Sequence, residues 1–212
     1  YSERLHVESA VFAGQLVEKG AIGQVVQTLG TGPHREGTGR PDWFYQRRYF
    51  GGILCDIGSH QIEQFLHYTG NSEATVVASQ VRNFRHPQHP QFEDFGEAML
   101  AGENGATGYF RCDWFTPDGL STWGDGRMTL LGTDGYIEIR KYTDLTRGEQ
   151  DVVYLVNKQG EFRYAVSGEV GFPFFGQLIN DCLHRTEHAM TQTHAFKAAE
   201  LCVKAQMLAN AG

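Results

Sequence analysis

The sequence is poor in cysteine and lacks long apolar runs. Its four cysteines are widely separated and form no CxxC pair, which argues against a disulfide framework or a zinc site and favours reduced thiols. No apolar run reaches the roughly 18 residues that a membrane-spanning helix needs. The first residues show neither the basic start nor the apolar core of a signal peptide. We therefore expect a cytoplasmic protein with no membrane partner.

The sequence also has no excess of basic residues. The net charge is −7, whereas a nucleic-acid-binding protein usually carries a basic patch, so we expect no nucleic-acid partner. The hydrophobic share of 41% and the charged share of 20% are ordinary for a globular protein. A chain of 212 residues is long enough to bury a sizeable core.

The apolar pattern predicts helices near both ends and in an early central segment, with strands between them. The predicted helices cover residues 3–19, 51–66, 173–186 and 194–210, and the predicted strands cover residues 22–32, 75–83, 93–101, 106–115, 127–142 as a hairpin, 151–158 and 161–166. Hairpin turns such as Asp134–Gly135 imply antiparallel pairing. The prediction is an α+β fold, an open, mainly antiparallel (mixed) sheet with helices packed on one face. Tyr109, Tyr136 and Tyr154 are candidates for the open face.

The segment 51–66 concentrates ionisable side chains on one side of a predicted helix. Asp56 and His60 are four residues apart, which places them only about 40° apart around a helix. This pattern is typical of an amphipathic surface helix, but it also suits a proton-transfer site in which Asp56 orients His60. Glu63 and His67 fall in the same sector and are interpreted as surface residues. The apolar side chains of the opposite side are Leu54, Ile57, Ile62, Phe65 and Leu66.

The segment 33–50 has no clear period and is rich in Gly, Pro, Arg and aromatic residues. Long irregular connections are uncommon in compact domains and are often functional. Trp43 and Tyr45 are candidates to contact a substrate through their aromatic faces, and Arg47 is a candidate to donate hydrogen bonds to hydroxyl or carboxylate groups. Anchoring of the loop is the alternative role for all three. The glycine-rich stretch 30–39 lacks the strand–GxGxxG–helix context of a dinucleotide site.

Three motifs occur together in this order: GxIG at residues 20–23, G-G-x-x-x-D-x-G-x-H at residues 51–60 and GTDGYIEI at residues 132–139. With these motifs the chain resembles the C-terminal domain of the glucose–fructose oxidoreductase / inositol dehydrogenase / MocA (Gfo/Idh/MocA) family. The resemblance implies an NAD(P)-dependent oxidoreductase that acts on a sugar, polyol or related substrate. From the open face of the predicted sheet we expect a homo-oligomer that forms through that face. It implies that Asp56 and His60 are catalytic and that His60 is the acid/base at the substrate hydroxyl.

The resemblance also implies an N-terminal domain that this sequence does not include. Family members carry NAD or NADP on an N-terminal Rossmann domain that also supplies a lysine, and neither has a counterpart here. We expect residues 1–212 to be a single C-terminal substrate and oligomerisation domain that holds no cofactor or metal by itself and is inactive alone. A non-catalytic oligomerisation module is one alternative. A metal-dependent hydrolase or isomerase, with His67, His86 or His89 as a third ligand beside Asp56 and His60, is another.

Overall fold

A single eight-stranded sheet organises the chain. The computed structural model describes residues 3–211. The α-helices are α1 (Glu8–Glu18), α2 (Arg47–Phe50), α3 (Ile53–Asp56), α4 (Gly58–Thr69), α5 (Pro173–His184) and α6 (Gln192–Ala211), and short 3₁₀ helices cover Glu3–Leu5 and Asp42–Tyr45. The strands are β1 (Val25–Pro33), β2 (Ala74–Arg82), β3 (Phe95–Gly102), β4 (Thr107–Asp113), β5 (Arg127–Gly132), β6 (Gly135–Arg140), β7 (Val152–Asn157) and β8 (Gly160–Ala165).

The order of strands across the sheet is β2-β3-β4-β1-β5-β6-β7-β8. Neighbours pair antiparallel except β1 and β4, which run parallel with Gln27 opposite Thr107. The predicted open, mainly antiparallel mixed sheet is therefore confirmed. The first strand of the chain lies inside the sheet, between β4 and β5, so its carboxyl end is surrounded by later segments.

Helices cover one face of this sheet. Glycines in the strands allow close approach: a Cβ at Gly108 would lie 2.7 Å from the Phe65 ring, and one at Gly30 would lie 2.1 Å from the Gln61 amide oxygen. One apolar core lies beneath α3, α4 and α6, and a second lies beneath α1. The first core contains all five apolar side chains predicted for the central segment, namely Leu54, Ile57, Ile62, Phe65 and Leu66.

The opposite face carries no helix within the described residues. Strand register places Tyr109 opposite Leu29 and Met99, and places Tyr136 opposite Leu131. Leu29, Met99, Leu131 and Tyr136 are each more than two-fifths exposed. We call these four residues and Tyr109 the apolar strip of the open face.

The central segment differs from its prediction in two ways. It is divided into α3 and α4 at Ile57 and is not one continuous helix. Glu63 and His67 are not surface residues: Glu63 is only 5% exposed, and His67 is half-buried. The 3₁₀ helix Glu3–Leu5 and the start of α6 cover that side of α4, which local periodicity does not reveal. Across residues 3–211, no helix combines the length and apolar character required to cross a membrane.

Candidate active site

Two glycines start α3 beside the carboxyl end of β1. Gly51 and Gly52 have φ values of +84° and +97°, which non-glycine residues rarely adopt. The buried carboxylate of Glu93 accepts a hydrogen bond from the Ile53 amide at 3.0 Å, and the Gln206 side chain accepts one from the Leu54 amide at 3.2 Å. These contacts satisfy the free amides of the first turn and fix where α3 begins.

The interruption of the helix at Ile57 determines the positions of Asp56 and His60. Gly58 packs against Phe110, where a Cβ would lie 3.2 Å from the ring. The His60 amide donates to the Ile57 carbonyl at 3.1 Å, which is a tighter turn than in a regular α-helix. Asp56 therefore ends one helix and His60 lies in the first turn of the next.

His60 is held by the segment before α1. Its Nδ1 accepts a hydrogen bond from the Glu3 backbone amide at 3.1 Å. Burial lowers the pKa of His60 to about 4, with further lowering by Lys141, His34 and His6, while the Glu3 carboxylate acts in the opposite direction. Among residues 3–211, no hydrogen bond joins Asp56 to this ring, so the orientation that the sequence ascribes to Asp56 comes from Glu3 instead.

Asp56, the last residue of α3, is exposed to solvent. Desolvation by the surrounding protein raises the pKa of its carboxyl group, and the positive charges of His34 and Arg40 partly oppose this. His34 directly follows β1, and its Nδ1–H donates a hydrogen bond to the Gly32 carbonyl at 3.1 Å. Arg40 lies over the rings of Phe44 and Trp114, at 4.5 and 4.9 Å from their centroids. The site thus holds two imidazoles, a carboxylate and a guanidinium.

A buried ionic cluster lies behind His60. The Glu3 carboxylate receives Lys141 Nζ at 2.5 Å and the Tyr142 hydroxyl at 2.5 Å. Burial tends to raise the pKa of Glu3, but the charge and hydrogen bond of Lys141 and the hydrogen bond of Tyr142 outweigh it and lower the pKa to about 2. Lys141 is 1% exposed, so this pair is shielded from water.

The loop residues predicted to bind substrate have protein partners. Trp43 is 52% exposed. The Tyr45 hydroxyl donates to Glu36 at 3.0 Å and its ring stacks on His89 with centroids 4.1 Å apart. Arg47 forms an ion pair with Glu93 at 2.6 Å. Tyr45 and Arg47 therefore anchor the loop, and a substrate-binding role for the three residues stays a prediction.

Sequence reasoning missed four residues of this region, namely Glu3, His34, Arg40 and Lys141. For Lys141 a signal existed: Ile137, Ile139 and Lys141 alternate onto one side, and the two isoleucines are fully buried. A lysine in that register predicts a buried charge with a partner. Within the described chain, no group of three or more His, Cys, Asp or Glu side chains is placed to hold a metal ion.

The glycine-rich stretch 30–39 does not form a dinucleotide cradle. Gly30 and Gly32 lie inside β1, and the next helical segment starts only at Asp42. The strand–turn–helix that places a pyrophosphate at a helix N-terminus is therefore not formed there.

Comparisons with known proteins agree with this architecture. A family model described as the GFO/IDH/MocA C-terminal domain matches residues 11–138. A search of curated proteins found no match. Among solved structures, the chain is similar to a protein of Erwinia carotovora atroseptica SCRI1043 that is provisionally described as an oxidoreductase, with 67% identity and a TM-score of 0.96.

Two more distant structures share the fold. One is myo-inositol 2-dehydrogenase from Lactobacillus plantarum, with 21% identity, a TM-score of 0.74 and 99% of this chain covered. The other is an oxidoreductase from Agrobacterium radiobacter in complex with NAD+, L-tartaric acid and magnesium, with 16% identity, a TM-score of 0.73 and 98% of this chain covered. The match to the Erwinia protein covers 98% of this chain. This chain spans 61–62% of the length of these three proteins.

Proposed function

Because the chain belongs to the GFO/IDH/MocA C-terminal domain family, we propose that it is the substrate-binding and catalytic-residue part of an NAD(P)-dependent oxidoreductase. The substrate class is a sugar, a polyol or a related hydroxyl or carbonyl compound. The observation that carries the proposal is that Asp56 ends α3 and His60 lies in the first turn of α4, with His34 after β1 close enough for its charge to act on both. The charge of Arg40 also acts on Asp56. These groups can hold a hydroxyl or carbonyl oxygen and exchange a proton with it.

In this proposal, the cofactor binds to a part of the full-length protein that lies outside this chain. NAD or NADP, when bound, supplies hydride transfer at the substrate carbon, and a Rossmann domain outside this chain carries it. Support comes from the coverage of about three fifths of the Erwinia protein and from the NAD+ complex of the Agrobacterium protein. The chain by itself is then inactive.

The test is turnover of the full-length protein with His60→Ala. We expect kcat/KM to fall by about 100-fold or more, the usual contribution of a positioned acid/base or hydrogen-bonding group. His184→Ala is the matched control, since His184 is exposed in the last turn of α5. Near-normal turnover of the His60→Ala variant would remove His60 from the mechanism.

The open face supports a second, compatible proposal, in which the sheet joins copies of the chain into a homo-oligomer. The observation that favours it is the apolar strip of the open face, because contiguous exposed apolar side chains mark interaction surfaces. Light scattering should show a smaller particle for Leu131→Glu than for the parent protein. An unchanged mass would exclude this part of the face from the interface.

A further inference from the structure

An aromatic surface supports the guanidinium group of Arg40. Its Cζ atom lies 4.5 Å from the centroid of the Phe44 ring, 4.9 Å from that of Trp114 and 5.8 Å from that of Trp123. A guanidinium over aromatic faces is stabilised by cation–π attraction. Phe44 and Trp114 are buried, whereas Trp123 is 46% exposed and Arg40 itself is half-buried. The rings therefore hold the charge at the edge of the core, within reach of solvent.

Hydrogen bonds fix one edge of the Arg40 side chain. Its Nε donates to the Glu36 carbonyl at 2.7 Å. The Glu36 side chain accepts from the Tyr45 hydroxyl at 3.0 Å, and the neighbouring Arg35 amide donates to the Trp123 carbonyl at 3.0 Å. These contacts tie the segment that carries Arg40 to the aromatic cluster. The terminal nitrogens of Arg40, Nη1 and Nη2, are the donors that remain for a ligand.

Arg40 differs from two neighbouring arginines in its ionic contacts. Arg35 pairs with Asp118 at 3.6 Å, and Arg47 pairs with the buried Glu93 at 2.6 Å. Within the part of the chain that the structure describes, no carboxylate forms an ion pair with Arg40, and its terminal nitrogens donate to no protein acceptor. A partly desolvated charge without an ionic partner is costly. An anionic ligand would supply the partner through a charge-assisted hydrogen bond.

Contacts between rings and strands place Arg40 beside the candidate active site. His34 lies edge-on to both indoles that Arg40 covers, with centroid distances of 5.6 and 6.2 Å. The strand that leads to His34 is packed against the central segment, because a Cβ at Gly32 would lie 3.1 Å from Ile57 at the break between α3 and α4. The charge of Arg40 also acts on Asp56, the residue before that break. A molecule bound at this break can therefore reach Arg40.

We propose that Arg40 binds a carboxylate group of the substrate, which makes the preferred substrate a sugar acid and not a neutral sugar or polyol. This inference rests on the proposed function and narrows its substrate class. The planar fork of a guanidinium matches the two oxygens of a carboxylate. The exposed indole of Trp123 offers an apolar face to the carbon chain of such a molecule. A phosphate fits less well, because the Asp56 carboxylate nearby would repel its second negative charge.

Isothermal titration calorimetry of the full-length protein measures this preference directly. The probes are three acids with their neutral counterparts, namely D-gluconate with D-glucitol, D-glucuronate with D-glucose, and D-galacturonate with D-galactose. A hydrogen-bonded ion pair with Arg40 should make at least one acid bind about 10- to 100-fold more tightly than its counterpart. If no acid binds more tightly than its counterpart, the inference is wrong.

Substitution of Arg40 separates a ligand contact from a purely structural role. Arg40→Gln should weaken binding of the best acid by about 10- to 100-fold and change binding of its neutral counterpart by less than about 3-fold. Arg40→Lys keeps the charge but loses the fork, so its affinity for the acid should be intermediate. Equal losses for the acid and the neutral compound in Arg40→Gln would show that Arg40 only supports the loop.

Arg48→Gln is the matched control for these variants. Arg48 belongs to the same loop and also lies over an aromatic ring, 4.3 Å from the Tyr49 centroid, but it is exposed. Its substitution should change neither affinity. D-glucose 6-phosphate should bind more weakly than the best acid, and tighter binding would overturn the assignment of a carboxylate.

Turnover with NAD or NADP distinguishes a failure of this inference from a failure of the proposed function. Arg40→Gln should raise KM for the acid by about 10-fold or more, with a smaller change in kcat. Acid binding that depends on Arg40, without hydride transfer to either cofactor, would defeat the proposed function alone. Oxidation of a neutral sugar in preference to every acid, at a rate that Arg40→Gln leaves unchanged, would defeat this inference alone.

Discussion

Removing the charge of Lys141 should destabilise the fold in a pH-dependent way. The pKa of Glu3 lies at about 2 in the folded protein and near 4.5 without partners. A lowered folded-state pKa gives stability that is present above pH 4.5 and is lost as the pH falls toward 2. The difference corresponds to about 3 kcal/mol at neutral pH.

Lys141→Met leaves the Glu3 carboxylate buried without its positive partner. Breaking a buried ion pair from one side costs about 3–5 kcal/mol, so we expect a loss of that size at pH 7. At pH 3.5 the loss should be smaller by at least about 1 kcal/mol, because Glu3 is then protonated in the variant and contributes less in the parent. Adding Glu3→Gln to Lys141→Met should recover part of the stability at pH 7.

Urea denaturation followed by circular dichroism, at pH 7 and pH 3.5, measures these differences. Lys158→Met is the control, since the Lys158 side chain is 83% exposed in its pair with Asp134, and it should change little. An equal loss for Lys141→Met at both pH values would refute the reasoning, because it would assign the effect to lost packing and not to the charge of Glu3.

Two further changes test the frame around the site. Gly108→Ala should lower stability by about 1–3 kcal/mol in thermal unfolding, since the added Cβ would lie 2.7 Å from the buried Phe65 ring. Gly119→Ala is the control and should be neutral, because a Cβ there would have no atom within 4 Å. Glu93→Gln should lower both stability, by about 1–3 kcal/mol, and turnover, because Glu93 accepts from the Ile53 amide at the start of the helix that ends in Asp56. Unchanged turnover with lowered stability would show that Glu93 supports the fold only.

Local patterns were enough to predict most of the architecture. Alternation in residues 106–115 and the Asp134–Gly135 turn predicted strands and a hairpin, and the structure has β4 and the β5–β6 hairpin there. The glycine-and-Asp/His motif indicated the segment in which the candidate site lies, and the catalytic roles of Asp56 and His60 stay a prediction. These features depend on neighbours a few residues apart, which is the range that periodicity and turn chemistry describe.

Other features depend on contacts between distant residues. Glu3 meets His60 and Lys141 across separations of 57 and 138 residues, so no local pattern joins them. For the same reason the burial of Glu63 was not predicted, because its ion-pair partners, Arg4 and His194, are distant in the sequence. The break at Ile57 was missed because a helical period continues across a single interrupted turn.

The position of β1 has a consequence for how the protein folds. The two strands that pair with β1 come much later in the sequence, since Gln27 pairs with Thr107 of β4 and with Leu131 of β5. Closing loops of that length is slow, so the first strand waits unpaired while much of the chain is synthesised. Strands that wait in this way expose backbone donors and acceptors to other chains. Heat-damaged or newly made protein should therefore aggregate first through residues 25–33.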